Sequence, residues 1–167
     1  MIIYASHVDF EIIKNAANVI TGKNVPEKFK LLLIKDNYII AVCSQLLVKF
    51  KLRKQFTEGT YVVKKNNKKE IRIEKTATAD SYKIPYTLVL RNLDDIVYEN
   101  FLHITTKKEQ QYAESYFVNF LNTKNIIVNL QHLKLVDFSL FTEYSIYSNL
   151  ILRNSEKDYL CVSAPLI

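Results

Sequence analysis

The sequence predicts an α+β domain built from two helix-plus-strands units with a mostly antiparallel sheet. Three observations carry that expectation. Two helical stretches about a hundred residues apart look like imperfect copies of each other: Ser6-His7-Val8-Asp9 leads into one, and Thr106-Lys107-Lys108-Glu109 leads into the other. Both openings have the Ser/Thr-x-x-Asp/Glu spacing of a capping box, which satisfies orphan amides at a helix start. Each helix then stops at a polar segment and runs into short, β-branched apolar stretches bounded by Asn, Asp and Gly turns, the signature of strands.

Residues 2–6 form a candidate first strand. The first helix spans residues 8–21, with Ile12, Ile13, Ala16, Ala17 and Ile20 as its apolar stripe and Glu11, Lys14, Asn15 and Asn18 facing away. Gly22 is placed to end it in the left-handed conformation, and Pro26 blocks resumption. Strands are expected at Phe29–Ile34, Tyr38–Cys43 and Leu46–Leu52, with Lys35-Asp36-Asn37 as a turn. The second of these is nearly all apolar, so it belongs in the sheet interior. Tyr61–Val63 and Ile71–Glu74 flank Lys64-Lys65-Asn66-Asn67-Lys68-Lys69, a hairpin with its tight turn at Asn66-Asn67 and four lysines at the tip. Tyr86–Leu90 is a further strand. The second helix covers residues 107–122, with Tyr112, Tyr116, Phe117, Phe120 and Leu121 as its buried stripe. Strands follow at Ile126–Leu130, Leu133–Phe138, Tyr144–Leu152 and Tyr159–Leu166, the last two joined by a turn at residues 154–158.

A chain of 167 residues with 49% apolar composition can bury a real core. Its net charge of +6 is concentrated. Residues 49–75 hold ten Lys or Arg against three Glu, a local +7, whereas residues 1–48 sum to +1 and residues 76–167 to −2. A patch of this kind points to an anionic partner more than an even spread would. Cys43 and Cys161 lie in apolar runs and read as buried thiols, with pairing to each other as the alternative. Met1-Ile2-Ile3-Tyr4 lacks the basic start of a signal peptide, and no apolar run approaches the roughly 20 residues that span a bilayer. The expectation is a cytoplasmic protein with no membrane partner.

Catalytic chemistry has no foothold in the residue patterns. His7, His103 and His132 have no second His or Cys at metal-ligand spacing, so no metal and no cofactor is expected. Gly22 and Gly59 alone cannot make a phosphate-cradling loop, and neither Gly-x-Ser-x-Gly nor a Cys-centred motif occurs. Glu70, Arg72 and Glu74 share one strand face and read as an exposed charge ladder. The binding candidates are the hairpin lysines Lys64, Lys65, Lys68 and Lys69, with Lys49, Lys51, Arg53 and Lys54 earlier in the chain. Such a cluster can neutralise phosphates and release counterions. It can equally serve as a solubilising guard on an edge strand. Tyr112 and Tyr116 sit at helical core spacing and read as packing rather than base stacking.

The repeated plan of strand, helix and several strands resembles the domain of the DNA sliding clamps. Tyr116-Phe117-Val118-Asn119-Phe120-Leu121 followed by Asn125-Ile126-Ile127-Val128-Asn129-Leu130 is similar to the second helix and following strand of a bacterial clamp's last domain. Asn149–Arg153 and Tyr159–Leu166 look like that family's closing hairpin. The first helix with the strands at residues 29–52 matches the family's order. The resemblance covers about two-thirds of the chain. It implies a single clamp-like domain over residues 1–167, with pseudo-repeat halves at about 1–52 and 104–167 and an inserted basic hairpin within about 53–92. Family chains carry two or three such domains and close into rings, whereas this chain has room for one.

The resemblance further implies a non-catalytic, replication-accessory role in which Lys14, Lys23 and the hairpin lysines track DNA phosphates. It also implies a partner-peptide pocket bordered by Leu160, Val162, Pro165 and Leu166, which by their alternation alone read as a final buried strand. Self-association is expected under this reading. The alternative is a small interaction or inhibitor protein, of viral origin, whose basic hairpin engages an acidic host protein. A divergent enzyme is the third class.

Overall fold

The computed structural model describes residues 1–22, 25–26, 30–43, 46–77, 96–100, 104–124, 130–146, 149–154, 156 and 158–163. The chain forms two compact units, Met1–Ile84 and Pro85–Ile167. Both are mostly antiparallel strands with few helices, as the α+β expectation requires.

In the first unit the strands are β1 (Ile2–Tyr4), β2 (Leu31–Lys35), β3 (Tyr38–Cys43), β4 (Leu46–Lys51), β5 (Gly59–Asn66) and β6 (Glu70–Thr76), with helix α1 at Phe10–Ile20. The strand order is β1-β6-β5-β2-β3-β4, and every neighbouring pair is antiparallel. The basic hairpin β5–β6 is therefore an interior part of this sheet, seated between β1 and β2. Strand alternation puts Ile3, Leu32, Ile34, Ile39, Ala41, Leu46, Val48, Phe50, Ile71 and Ile73 on one face, and all ten are buried. The α1 stripe, Ile12, Ile13, Ala16, Ala17 and Ile20 with Phe10 and Val19 added, supplies the other half of this core. The β2–β3 turn places Asp36 and Asn37 at φ of 50° and 63°, the positive angles a two-residue hairpin loop requires. Gly59 has a φ of 145°, where a Cβ would stand 2.5 Å from the Lys75 Cε, so only glycine fits without strain.

Two local expectations for α1 are corrected. The helix begins at Phe10 with Asp9 as its N-cap, and no side-chain capping bond forms. The Asp9 carboxylate, fully buried, instead accepts the backbone N–H of Arg53 at 2.8 Å and of Lys54 at 2.9 Å. Two amides of a distant segment thereby take the acceptor that a local cap would have used. The Asp9 N–H itself donates to His7 Nδ1 at 3.0 Å, so His7 is a half-buried acceptor beside the Phe56 ring. Gly22 is not in the left-handed region; α1 closes through the Thr21 N–H on the Ala17 carbonyl, and Val25 N–H then turns back onto the Gly22 carbonyl.

In the second unit the strands are β7 (Glu99–Asn100), β8 (Glu143–Ile146), β9 (Leu150–Arg153) and β10 (Tyr159–Ser163), in the order β10-β9-β8-β7, all antiparallel. Helix α2 spans Lys107–Thr123, a four-residue helix α3 spans Leu130–Leu133, and a 3₁₀ turn spans Phe138–Leu140. The strand expected as Tyr144–Leu152 is in fact the β8–β9 hairpin, with Tyr144 opposite Leu152 and Ile146 opposite Leu150. Alternation alone cannot tell one long strand from two that fold back on each other. The strand expected at Leu133–Phe138 is also absent. Gln110 holds that segment by donating to the Val136 carbonyl at 2.7 Å and accepting the Phe138 N–H at 2.9 Å, and Asp137 caps the 3₁₀ turn through the Ser139 N–H. The expected strands at Tyr86–Leu90 and, apart from Leu130, at Ile126–Leu130 lie outside the described residues; Leu130 opens α3.

The second capping box forms as expected. Thr106 Oγ1 accepts the Glu109 N–H at 3.2 Å, and Glu109 Oε2 accepts the Thr106 N–H at 2.9 Å and the Thr105 N–H at 2.8 Å. These amide bonds, the Thr105 one foremost, lower the Glu109 carboxyl to about 2. A carboxyl depressed in the folded state contributes stability above its ordinary value, and loses it as pH falls through the folded one. The first turn of α2 is therefore expected to hold down to pH 4 and to fray between about pH 4 and 2. The Glu109 side-chain carbon shift, followed by NMR, should titrate near 2; a midpoint near 4 would refute the reciprocal cap.

Candidate nucleic-acid interface

The basic residues singled out from the sequence are dispersed over several elements of the first unit. Lys49 and Lys51 project from β4 beside Tyr38, on the sheet face opposite the α1-facing set. The Lys49 Nζ lies 4.2 Å above the Tyr38 ring centroid, a cation–π arrangement that holds the amine over the strand. Arg53 and Lys54 follow β4 directly, and the Asp9 carboxylate fixes their backbone through the bonds described above. Both side chains are exposed. A shallow cavity of about 260 Å³ lies beside them, lined by Asn37, Arg53, Gln55, Phe56 and Glu58. Lys14 stands on α1, half-buried, with its Nζ 5.7 Å from the Phe10 ring. It therefore lies on the opposite side of the sheet from Lys49 and Lys51. Lys23 lies outside the described residues.

The hairpin turns at residues 67–69 rather than at Asn66-Asn67. Asn67 N–H donates to the Glu70 carbonyl, and Asn67 Oδ1 accepts the N–H of Lys69 at 2.8 Å and of Glu70 at 2.9 Å. The Asn66 side chain instead reaches α1, donating to Asn18 Oδ1 at 2.8 Å and tying the hairpin to the helix. A register shift between Val63 and Lys65 makes Lys64 the extra residue of a β-bulge, which re-aims the side chains beyond it. The four lysines then divide into two pairs. Lys65 Nζ sits 2.7 Å from Glu70 Oε1, with Arg72 at 3.6 Å from the same oxygen, and Lys64 is 3.7 Å from Glu74. The Lys65 hydrogen bond, followed by the Lys65 and Arg72 charges, lowers the Glu70 carboxyl. Lys68 and Lys69 are exposed at the tip and make no ion pair among the described residues. Thus Lys64 and Lys65 are part of the charge ladder, and of the four lysines the two without an ion pair among the described residues are those at the tip.

The residues expected to border a peptide pocket lie on β10, where Leu160 is half-buried and Val162 is buried. Pro165 and Leu166 lie outside the described residues. Cys43 and Cys161 are both buried and neither is in a disulfide, and burial raises the Cys161 thiol. Among the described residues no cluster of His, Cys, Asp and Glu is placed to hold a metal, and no helix is long and apolar enough to cross a membrane.

Sequence reasoning misplaced one set of side chains. The buried row of α2 is Ala113, Phe117 and Leu121. Tyr112 is 72% exposed and Tyr116 41% exposed, and Phe120 is partly exposed. Both rows repeat every four residues, so periodicity could not choose between them. Phe117 decides it by stacking on Phe138 at 5.5 Å and meeting Tyr144 edge-on at 5.3 Å.

Together these features define a small α+β protein of antiparallel strands with a lysine-tipped hairpin. No family model and no curated protein matches the sequence. The fold is similar to that of a crystallised protein from Eubacterium rectale ATCC 33656, provisionally assigned as a DNA polymerase III beta subunit. The TM-score is 0.52 at 10% identity, over 99% of this chain and 64% of that one. The likeness is one of fold, and this chain spans under two-thirds of its neighbour's length.

Proposed function

We propose that this protein is a non-catalytic replication-accessory domain of sliding-clamp type that binds DNA. The observation that carries the reading is the fold likeness to a DNA polymerase subunit over 99% of the chain. The exposed tip lysines Lys68 and Lys69, with Lys51, Arg53 and Lys54 along β4 and beyond, supply the electrostatics for phosphate contact. Lys14, Lys23, Lys49, Lys64 and Lys65 complete the proposed contact set. The chain acts as one functional domain, and a replication partner's peptide docks against β10 and the segment after it, at Leu160, Val162, Pro165 and Leu166. In this reading the chain self-associates to encircle DNA.

The test is retention on nicked circular DNA against the same DNA linearised, across a salt series. Salt-resistant retention on the circle alone is the expected result for a ring. Equal, salt-sensitive binding to both would leave a basic-patch binder without encirclement, and no binding to either would turn the assignment to the alternative of an acidic protein partner. Reversing charge at Lys64, Lys65, Lys68 and Lys69 should flatten the salt dependence of DNA affinity by up to about four counterions. The tip pair K68E/K69E should account for most of that change, since Lys64 and Lys65 are already ion-paired. An unchanged slope in the quadruple variant removes the hairpin from the interface.

A further inference from the structure

We propose that the exposed stripe Lys108, Tyr112, Tyr116, Phe120 and Lys124 of α2 is a stacking surface for single-stranded nucleic acid. The inference rests on the reading of a nucleic-acid partner but uses a different element from the lysine hairpin. The five residues recur every fourth position over about 24 Å at 1.5 Å per residue, a row that winds by about 40° per step, so the three rings share one face and the two lysines stand at its opposite margins. The three rings stack in series, Tyr112 to Tyr116 at 6.5 Å and 22° and Tyr116 to Phe120 at 5.8 Å and 7°. Lys124 closes the row with its Nζ 5.7 Å from the Phe120 centroid. Large exposed aromatics in an unbroken row are uncommon on a surface with no partner to meet.

Charge complementarity selects the occupant. Lysines bracket the rings at both ends, and neither Lys108 nor Lys124 makes an ion pair among the described residues. The two acids of α2 are turned to other work: Glu109 closes the capping box, and Glu114 accepts from Gln110. The flanking row is uncharged, being Gln111, Ser115 and Asn119. A duplex could use the lysines but not the rings, because its base faces are closed within the stack. A single strand uses both, offering base faces to the rings and phosphates to the lysines. The middle ring also rests edge-on against the buried Phe117 ring at 5.4 Å.

The experiment is fluorescence anisotropy of a labelled oligo-dT strand, and of a duplex of the same length, with the whole protein. Wild type is expected to prefer the strand and to show quenched tyrosine emission on binding, which is readable because the chain has no Trp. The double variant Y112A/F120A should lose about 5- to 150-fold in strand affinity per stacking ring that is occupied, with duplex affinity unchanged. Tyr112 is mostly exposed, so Y112A alone serves where the double variant fails to fold. Equal affinity for strand and duplex, or strand binding untouched by Y112A, overturns the stacking surface. The latter is also what a stripe serving a protein partner would give. Duplex retention that persists in either case leaves the accessory-domain reading intact. Strand binding that survives hairpin charge reversal supports the stripe while separating it from the hairpin.

Discussion

Asp9→Ala is expected to lower folding stability by about 2–6 kcal/mol, read as a fall in the urea midpoint. The carboxylate is fully buried and holds the Arg53 and Lys54 amides at 2.8 and 2.9 Å. Removing it leaves two partly buried N–H donors without an acceptor, each costing about 1–3 kcal/mol. Alanine also removes the N-cap residue from α1, although that cap already lacks a side-chain bond. Asp9→Asn keeps one acceptor oxygen at the same place and should recover about half of the loss. The consequence reaches the proposed interface, because the Arg53–Lys54 backbone is the segment that turns away from β4. In the Ala variant these two amides should exchange with solvent faster than those of β3. A midpoint equal to wild type would show that the two amides find water or another acceptor at no cost.

Phe117→Ala should cost about 3–5 kcal/mol, the range for emptying a fully buried aromatic site. The ring stacks on Phe138 at an interplanar angle of 10°, meets Tyr144 at 72°, and touches Tyr116 at 5.4 Å. It is the residue through which α2 engages both the 3₁₀ turn and β8. Hydrogen exchange should show the loss first at the Gln110 bonds to Val136 and Phe138, which depend on the helix staying seated. Phe117→Leu retains most of the volume and should cost less than about 1.5 kcal/mol. The neighbouring Tyr112→Ala, one row away on the same helix, should change stability by under about 0.5 kcal/mol. If Phe117→Ala and Tyr112→Ala were equally mild, the assignment of the buried row would be wrong.

The interface was legible where its chemistry is written in local sequence. Four lysines bracketing two asparagines could be placed at a hairpin end from composition and turn preference alone. Which of them remain available could not, because pairing depends on cross-strand register. Only the bulge at Lys64 and the opposition of Lys65 to Arg72 bring Glu70 and Glu74 into reach of two of the four. The aromatic stripe on α2 was hidden for a related reason. A helix with two adjacent apolar rows has no internal rule for which row faces inward; Phe138 and Tyr144, distant in sequence, supply it.

By itself the sequence determined the two helices, the antiparallel strands from Leu31 to Lys51, the basic hairpin and the Thr106–Glu109 cap. Each rests on interactions within a few residues, so period, propensity and turn chemistry suffice. Only the tertiary structure decided the rest. It diverted Asp9 from its own helix to Arg53 and Lys54, folded the Tyr144–Leu152 stretch into β8 and β9, and replaced a strand at Leu133–Phe138 by Gln110-held turns. For Asp9 and Gln110 a polar side chain found backbone partners 26 to 45 residues away whose interaction outweighed the local preference, and no short window of sequence contains both members of such a pair; for β8 and β9 the pattern of alternation is the same whether the stretch runs straight or folds back.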